Sequence, residues 1–154
     1  MSDAPQQSTG FDDRVRLAVY RSFVKTAQPP HPDELARQVN ATPEQVRASY
    51  GRLADAHVLV VQPQSPFVRM EMPFSAVVTD YEVLDGSTRY HANCAWDAFG
   101  VVAVLGRDAT VRCRCADCGE RVAFRIEHNK LEPGDGLIHF VVPAHRWWDD
   151  IIFT

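Results

Sequence analysis

The sequence predicts an α+β chain: an N-terminal, winged-helix-like three-helix module packed on a mixed, mainly antiparallel β-sheet domain that carries a buried helix. Three observations predict it. Apolar residues recur at three- and four-residue spacing through the first third, punctuated by proline and capping signals. Alternating apolar and polar residues separated by turn dipeptides fill much of the remainder. One stretch, Ala98 to Leu105, is apolar on more than one stripe, the pattern of a helix enclosed on most sides. The boundaries read as a disordered polar tail at 1–10, the helical module at 11–75 and the sheet domain at 76–154.

From Phe11, the residues Val15, Leu17, Ala18, Val19 and Phe23 fit a helix to about Lys25, which Gln28-Pro29-Pro30 breaks. Pro32-Asp33-Glu34 opens a second helix with Leu35, Ala36 and Val39 as its apolar face. Thr42-Pro43-Glu44-Gln45 opens a third: a threonine cap, proline at the first position and a glutamine three residues after the cap. Val58 to Val61, a Pro63-Gln64-Ser65-Pro66 turn and Phe67 to Met72 read as a hairpin. This is the order of a winged helix-turn-helix. Its charge argues against DNA binding. Residues 1–75 carry eight Lys/Arg and eight Asp/Glu, and the third helix offers only Arg47 and Arg52, whereas a phosphate-binding face needs a basic cluster.

Beyond Pro73, Ala76-Val77-Val78 and Tyr81 to Leu84 read as strands, with Asp85-Gly86 as a hairpin turn. A helix begins near Cys94 and stops at Gly106. Ala109 to Cys115 and Arg121 to Ile126 read as strands joined by a turn at Ala116 to Gly119. Leu137 to Val142 reads as one more strand, and the tail from His145 starts helix-like and turns apolar.

The 154 residues carry a net charge of −4, which gives no reason to expect nucleic acid or an anionic membrane as partner. No apolar run approaches the roughly 18 residues of a membrane span, and the polar start predicts a cytoplasmic protein. Four cysteines, three of them within six positions, argue for thiol or metal chemistry over a disulfide framework. Cys115 and Cys118 have the spacing of a zinc knuckle, and Cys113 with His128, His139 or His145 could complete a structural zinc or soft-metal site. A hairpin turn with spare thiols is the plainer alternative. Trp147-Trp148 reads as a hydrophobic anchor, and His91 as a hydrogen-bonded rather than catalytic group.

The chemistry concentrates in Cys94 and Asp97. Three residues apart at a helix start, a thiol and a carboxylate can face one small molecule. Helix-terminal amides would draw the thiol toward thiolate, and the carboxylate could hold or deliver a proton.

The run Asn93-Cys94-Ala95-Trp96-Asp97-Ala98, then Gly106-Arg107, the Cys118-Gly119 hairpin and Trp147-Trp148-Asp149-Asp150, resembles the alkylmercury lyase (organomercurial lyase) family, over about Phe11 to Thr154. The resemblance implies protonolysis of a carbon–mercury bond to a hydrocarbon and Hg(II), for mercury detoxification. It places Cys94 as the thiol that takes the soft metal and Asp97 as the acid that protonates the carbon. It implies no organic cofactor. Hg(II) would stay as bound product until small cellular thiols or a mercuric reductase accept it. The family's second cysteine belongs just past Thr154, and Cys113, Cys115 and Cys118 do not match its position. An incomplete C-terminus, a divergent member with impaired activity, or a UGA selenocysteine codon read as stop are the open explanations, and the codon after Thr154 separates them. A winged-helix metal-responsive regulator, or a soft-metal-binding protein without lyase activity, is the alternative reading.

Overall fold

A computed structural model describes residues 10–133 and 136–152. The chain divides into two compact units, Met1–Met72 and Pro73–Thr154. The expected tail at 1–10 lies outside the described residues except for Gly10, which begins the first helix.

The first unit is three helices and a hairpin: α1 (Gly10–Thr26), α2 (Pro32–Val39), α3 (Pro43–Asp55), β1 (Leu59–Val61) and β2 (Val68–Glu71). Val15, Val19 and Phe23 form the buried stripe of α1, one turn apart. In α2, His31 Nδ1 accepts from the amide of Asp33, and Asn40 in the left-handed region ends the helix. The capping box at α3 is made in full: Thr42 Oγ1 accepts from the Gln45 amide at 3.3 Å, and Gln45 Oε1 from the Thr42 amide at 2.9 Å. Buried Asp12 is matched by Ser49 Oγ at 2.7 Å and by two donors of Arg52, Nε at 2.9 Å and Nη2 at 2.6 Å. Glu71 is also fully buried. Arg16 Nε reaches its Oε1 at 3.1 Å while Oε2 has no hydrogen-bond partner, and burial pushes the carboxyl up to about 7.

The second unit holds β3 (Phe74–Ser75), β4 (Tyr81–Asp85), β5 (Thr88–Ala92), α4 (Ala95–Leu105), β6 (Ala109–Arg114), β7 (Arg121–Glu127), β8 (Lys130–Leu131) and a 3-10 helix, Ala144–Asp149. Its strands run in the order β3-β5-β4-β6-β7-β8, every neighbouring pair antiparallel. The expected mixed sheet is thus corrected. Hairpins join β4 to β5, β6 to β7 and β7 to β8, and α4 carries the chain from β5 over β4 to β6. Parallel direction therefore occurs only between strands that do not touch.

Alternation sorts the faces. Val83, Tyr90, Val111 and Ile126 are buried with Ala98, Val101 and Val102 of α4, while Arg112 and Arg125 on the other parity are exposed. Phe99 meets Phe124 edge-on at 5.6 Å, and Gly100 packs so close to Pro73 that an added Cβ would lie 3.0 Å from the proline Cβ. The helix is not enclosed on most sides as its apolar sequence predicts. It buries one stripe and leaves Trp96 and Val104 exposed.

Two expected strands do not form. At 76–78 the Ser75 hydroxyl donates to the Val77 carbonyl at 3.0 Å and accepts from the Val77 amide at 3.2 Å, so the side chain takes the groups a ladder would use. At 137–142 the alternation meets no partner strand among the described residues. β8 takes the Ile126–Glu127 end of the outer edge of β7 through a tight turn at His128-Asn129, both at positive φ, and Leu137 remains 99 % exposed.

Candidate active site

Cys94 is the N-cap of α4, with extended backbone, and Asp97 lies in the first turn. The end of β5 fixes this junction. Ala92 is fully buried and pairs with Tyr81 across the hairpin, and Thr79 Oγ1 donates to the Ala92 carbonyl. His91 accepts from the Thr79 amide through Nδ1 at 3.4 Å, the hydrogen-bonding role its sequence context suggests.

The Cys94 thiol donates to Asp97 Oδ2 at 3.4 Å, so the structure brings the two residues together. Its electrostatics reverse the expectation of a thiolate. Burial first, and then the Asp97 charge, push the Cys94 thiol up to about 11. The amides of Asp97 and Trp96 pull the other way without prevailing, and Sγ makes no capping hydrogen bond. Burial raises the Asp97 carboxyl as well, opposed by the thiol that it accepts from. The pair therefore stores a proton on sulfur beside a base that burial has made willing to take it.

Three further features build this site. Asn93 donates through Nδ2 to the carbonyl of Ile151 at 3.0 Å, bringing the tail beside Cys94. Trp96, Phe140 and Trp147 form an aromatic row with centroids 6.1 Å and 5.3 Å apart, and Trp147 Nε1 donates to Val142 at 2.8 Å. The phenol of Tyr81 is pushed up by burial first, then by Cys113 and Cys94, which places it within electrostatic reach of both thiols. Strand alternation through Val83 could have pointed to that side chain; nothing in sequence could have paired Asn93 with Ile151.

The remaining cysteines lie on β6 and in the turn that follows it. All four are free. Cys113 is half-buried on β6 opposite Val122, its thiol pushed up by burial and by Cys115. Cys115 and Cys118 occupy the β6–β7 turn, where the Cys115 thiol is drawn below its usual value by the amides of Cys118 and Asp117 and by the Cys118 thiol. Among the described residues no three His, Cys, Asp or Glu side chains are grouped to hold a metal ion. The expected zinc set of Cys113, Cys115 and Cys118 with a histidine is not supported by this arrangement: His128, His139 and His145 are exposed.

A family model described as alkylmercury lyase matches residues 74–154. Among solved structures, the mercury-bound form of MerB2 is similar, with a TM-score of 0.66 and 18% identity. That similarity covers 83% of this chain and 61% of the other, so this chain spans about three-fifths of the length of that protein. No curated protein matches.

Proposed function

The chain belongs to the alkylmercury lyase family, and on that premise we propose that it cleaves carbon–mercury bonds by protonolysis, with Cys94 and Asp97 as its catalytic residues. The observation that carries this reading is the 3.4 Å contact from the Cys94 thiol to Asp97, half-buried inside the family-matched segment. Mercury is soft and prefers sulfur. As sulfur attacks, its proton passes to Asp97, and Asp97 delivers it to the carbon that mercury leaves.

The step balances without a cofactor: R–Hg–X and the Cys94 thiol give R–H and Cys94–S–Hg–X. One S–Hg bond forms, one C–Hg bond breaks, and nothing is oxidised. Hg(II) then remains on Cys94 until small cellular thiols or a mercuric reductase accept it. The similar structure with mercury bound is consistent with Hg(II) as the retained product.

In this reading residues 76–154 form the catalytic domain, and 11–75 a winged-helix-like module serving as scaffold. A metal-responsive DNA-binding regulator is the weaker reading, since Arg47 and Arg52 of α3 are engaged by Glu44 and Asp12. Among the described residues no helix is long and apolar enough to cross a membrane, which agrees with a cytoplasmic site of action.

The test is benzene release from phenylmercury with excess thiol, measured by gas chromatography on the full chain. Benzene is expected from the natural chain and none from Cys94→Ser. Undiminished benzene from that variant would refute the assignment.

A further inference from the structure

The β6–β7 turn is a second, separate thiol device, and its geometry differs from what its sequence spacing suggests. The pair Arg114↔Arg121 closes the ladder on one side of it. Inside, the Cys115 amide donates to the Glu120 carbonyl at 2.8 Å, and the Gly119 amide to the Cys115 carbonyl at 2.9 Å. Gly119 takes a φ of +73°, a conformation that suits glycine, and Arg114 Nη1 donates to its carbonyl at 3.3 Å. This fold-back puts Cys115 and Cys118, three residues apart, in one closed turn, where the amides of Cys118 and Asp117 and the Cys118 thiol draw the Cys115 thiol below its usual value. Two free thiols thus share one closed turn, Cys115 half-buried and Cys118 exposed.

The number of ligands decides which metal fits. Zinc in a structural site takes four ligands in a tetrahedron, and no third ligand is grouped with this pair among the described residues. A soft d10 ion such as Hg(II) is satisfied by two thiolates in a line. Thiolate softness favours it, and the exposed Cys118 side chain is free to rotate and open the pair around the ion.

The geometry points to Cys115 and Cys118 as a two-thiolate chelating site for Hg(II), distinct from the Cys94–Asp97 pair. Loading is a ligand exchange. A mercury bis-thiolate gives up two Hg–S bonds and forms two with the protein. The two cysteine protons leave on the displaced small thiols, and no electron changes hands. Such a site holds Hg(II) more firmly than any single thiol, because its second sulfur binds at the effective concentration of a short tether.

The proposal does not depend on lyase activity and is tested in its absence. The full chain carrying Cys94→Ser is incubated with mercuric chloride and an excess of 2-mercaptoethanol, desalted, and weighed by native mass spectrometry. One retained Hg(II) per chain is expected. Adding Cys115→Ser or Cys118→Ser lowers the retained fraction at least about tenfold, and adding Cys113→Ser leaves it unchanged. Circular dichroism of each variant establishes that the fold is kept. Retention that survives both turn substitutions, retention that requires Cys113, absence of retention, or one equivalent of zinc held under the same conditions would each overturn the assignment. Since every chain compared lacks Cys94, the benzene assay stands or falls separately.

Discussion

Cys94 and Cys115 are built on the same local plan and arrive at opposite chemistry. Each begins a turn with a partner three residues on, Asp97 in one and Cys118 in the other, and each has the amides of the second and third following residues near its sulfur. Cys94 is nonetheless pushed up to about 11, whereas Cys115 is drawn down. Backbone dipoles alone thus do not set a thiol in this fold. Burial and the group at the third position outweigh them. At Cys94 the outcome is a protonated sulfur next to a carboxylate, suited to giving a proton away. At Cys115 it is a pair of thiols in one surface turn, one half-buried and one exposed, suited to holding a metal.

The largest expected effect comes from Asp97→Asn. Without the acid, benzene release in a single turnover falls by about 10²–10⁴, measured by rapid quench. Removing the Asp97 charge also removes a cause that raises the Cys94 thiol, so its pKa falls, read from the pH dependence of alkylation. A pKa unchanged by this substitution would leave burial as the whole explanation. A smaller contrast separates the two thiols in the natural chain. At pH 8, iodoacetamide labels Cys115 at least about tenfold faster than Cys94, as thiolate fraction dictates. Peptide mass spectrometry follows both. The Cys94 rate keeps climbing toward about pH 11, while the Cys115 rate levels off below the usual thiol range.

Gly100→Ala acts on one side of the comparison only. The new methyl would press on Pro73 at 3.0 Å, an overpacking that costs about 1–3 kcal/mol and loosens the seat of α4. Thermal denaturation should show the loss, with Cys94 labelled faster and Cys115 unchanged. The smallest effect on the two thiols is expected at Glu71, which touches neither of them. Its folded-state carboxyl lies above the usual range at about 7, so the folded form holds its proton longer than the unfolded form does. Stability is therefore lost as pH rises from the usual carboxylate range through 7. Glu71→Gln should remove a pH dependence of about 2–3 kcal/mol between pH 5 and pH 8 without altering either labelling rate.

What the sequence made legible was whatever is local. The caps at Pro32, Thr42 and Gln45, the Asp85-Gly86 turn, the Gly106 stop and the Cys94–Asp97 spacing are each decided within a few residues, and each is found in the structure. The antiparallel α+β organisation followed from the turn dipeptides. Failures came where a distant or competing partner decides. Alternation at 137–142 looks like a strand, but no ladder forms there and Leu137 stays exposed. The backbone at 76–78 is claimed by a single serine hydroxyl. The thiolate expected at Cys94 is reversed by burial, which one-dimensional spacing does not encode.

The aromatic row beside the site has an optical consequence. Trp96 is two residues from Cys94, and Trp147, two bonds of contact further along the row, belongs to the tail that Asn93 holds at Ile151. Two of the three indoles in the chain thus stand in one aromatic row that begins two residues from the sulfur that would carry a heavy atom. Spin–orbit coupling from mercury on Cys94 would quench their emission, and release of the tail would shift its colour by admitting water. The protein contains its own unlabelled indicator, in which loading of the site and loosening of the tail appear as two different changes in one spectrum.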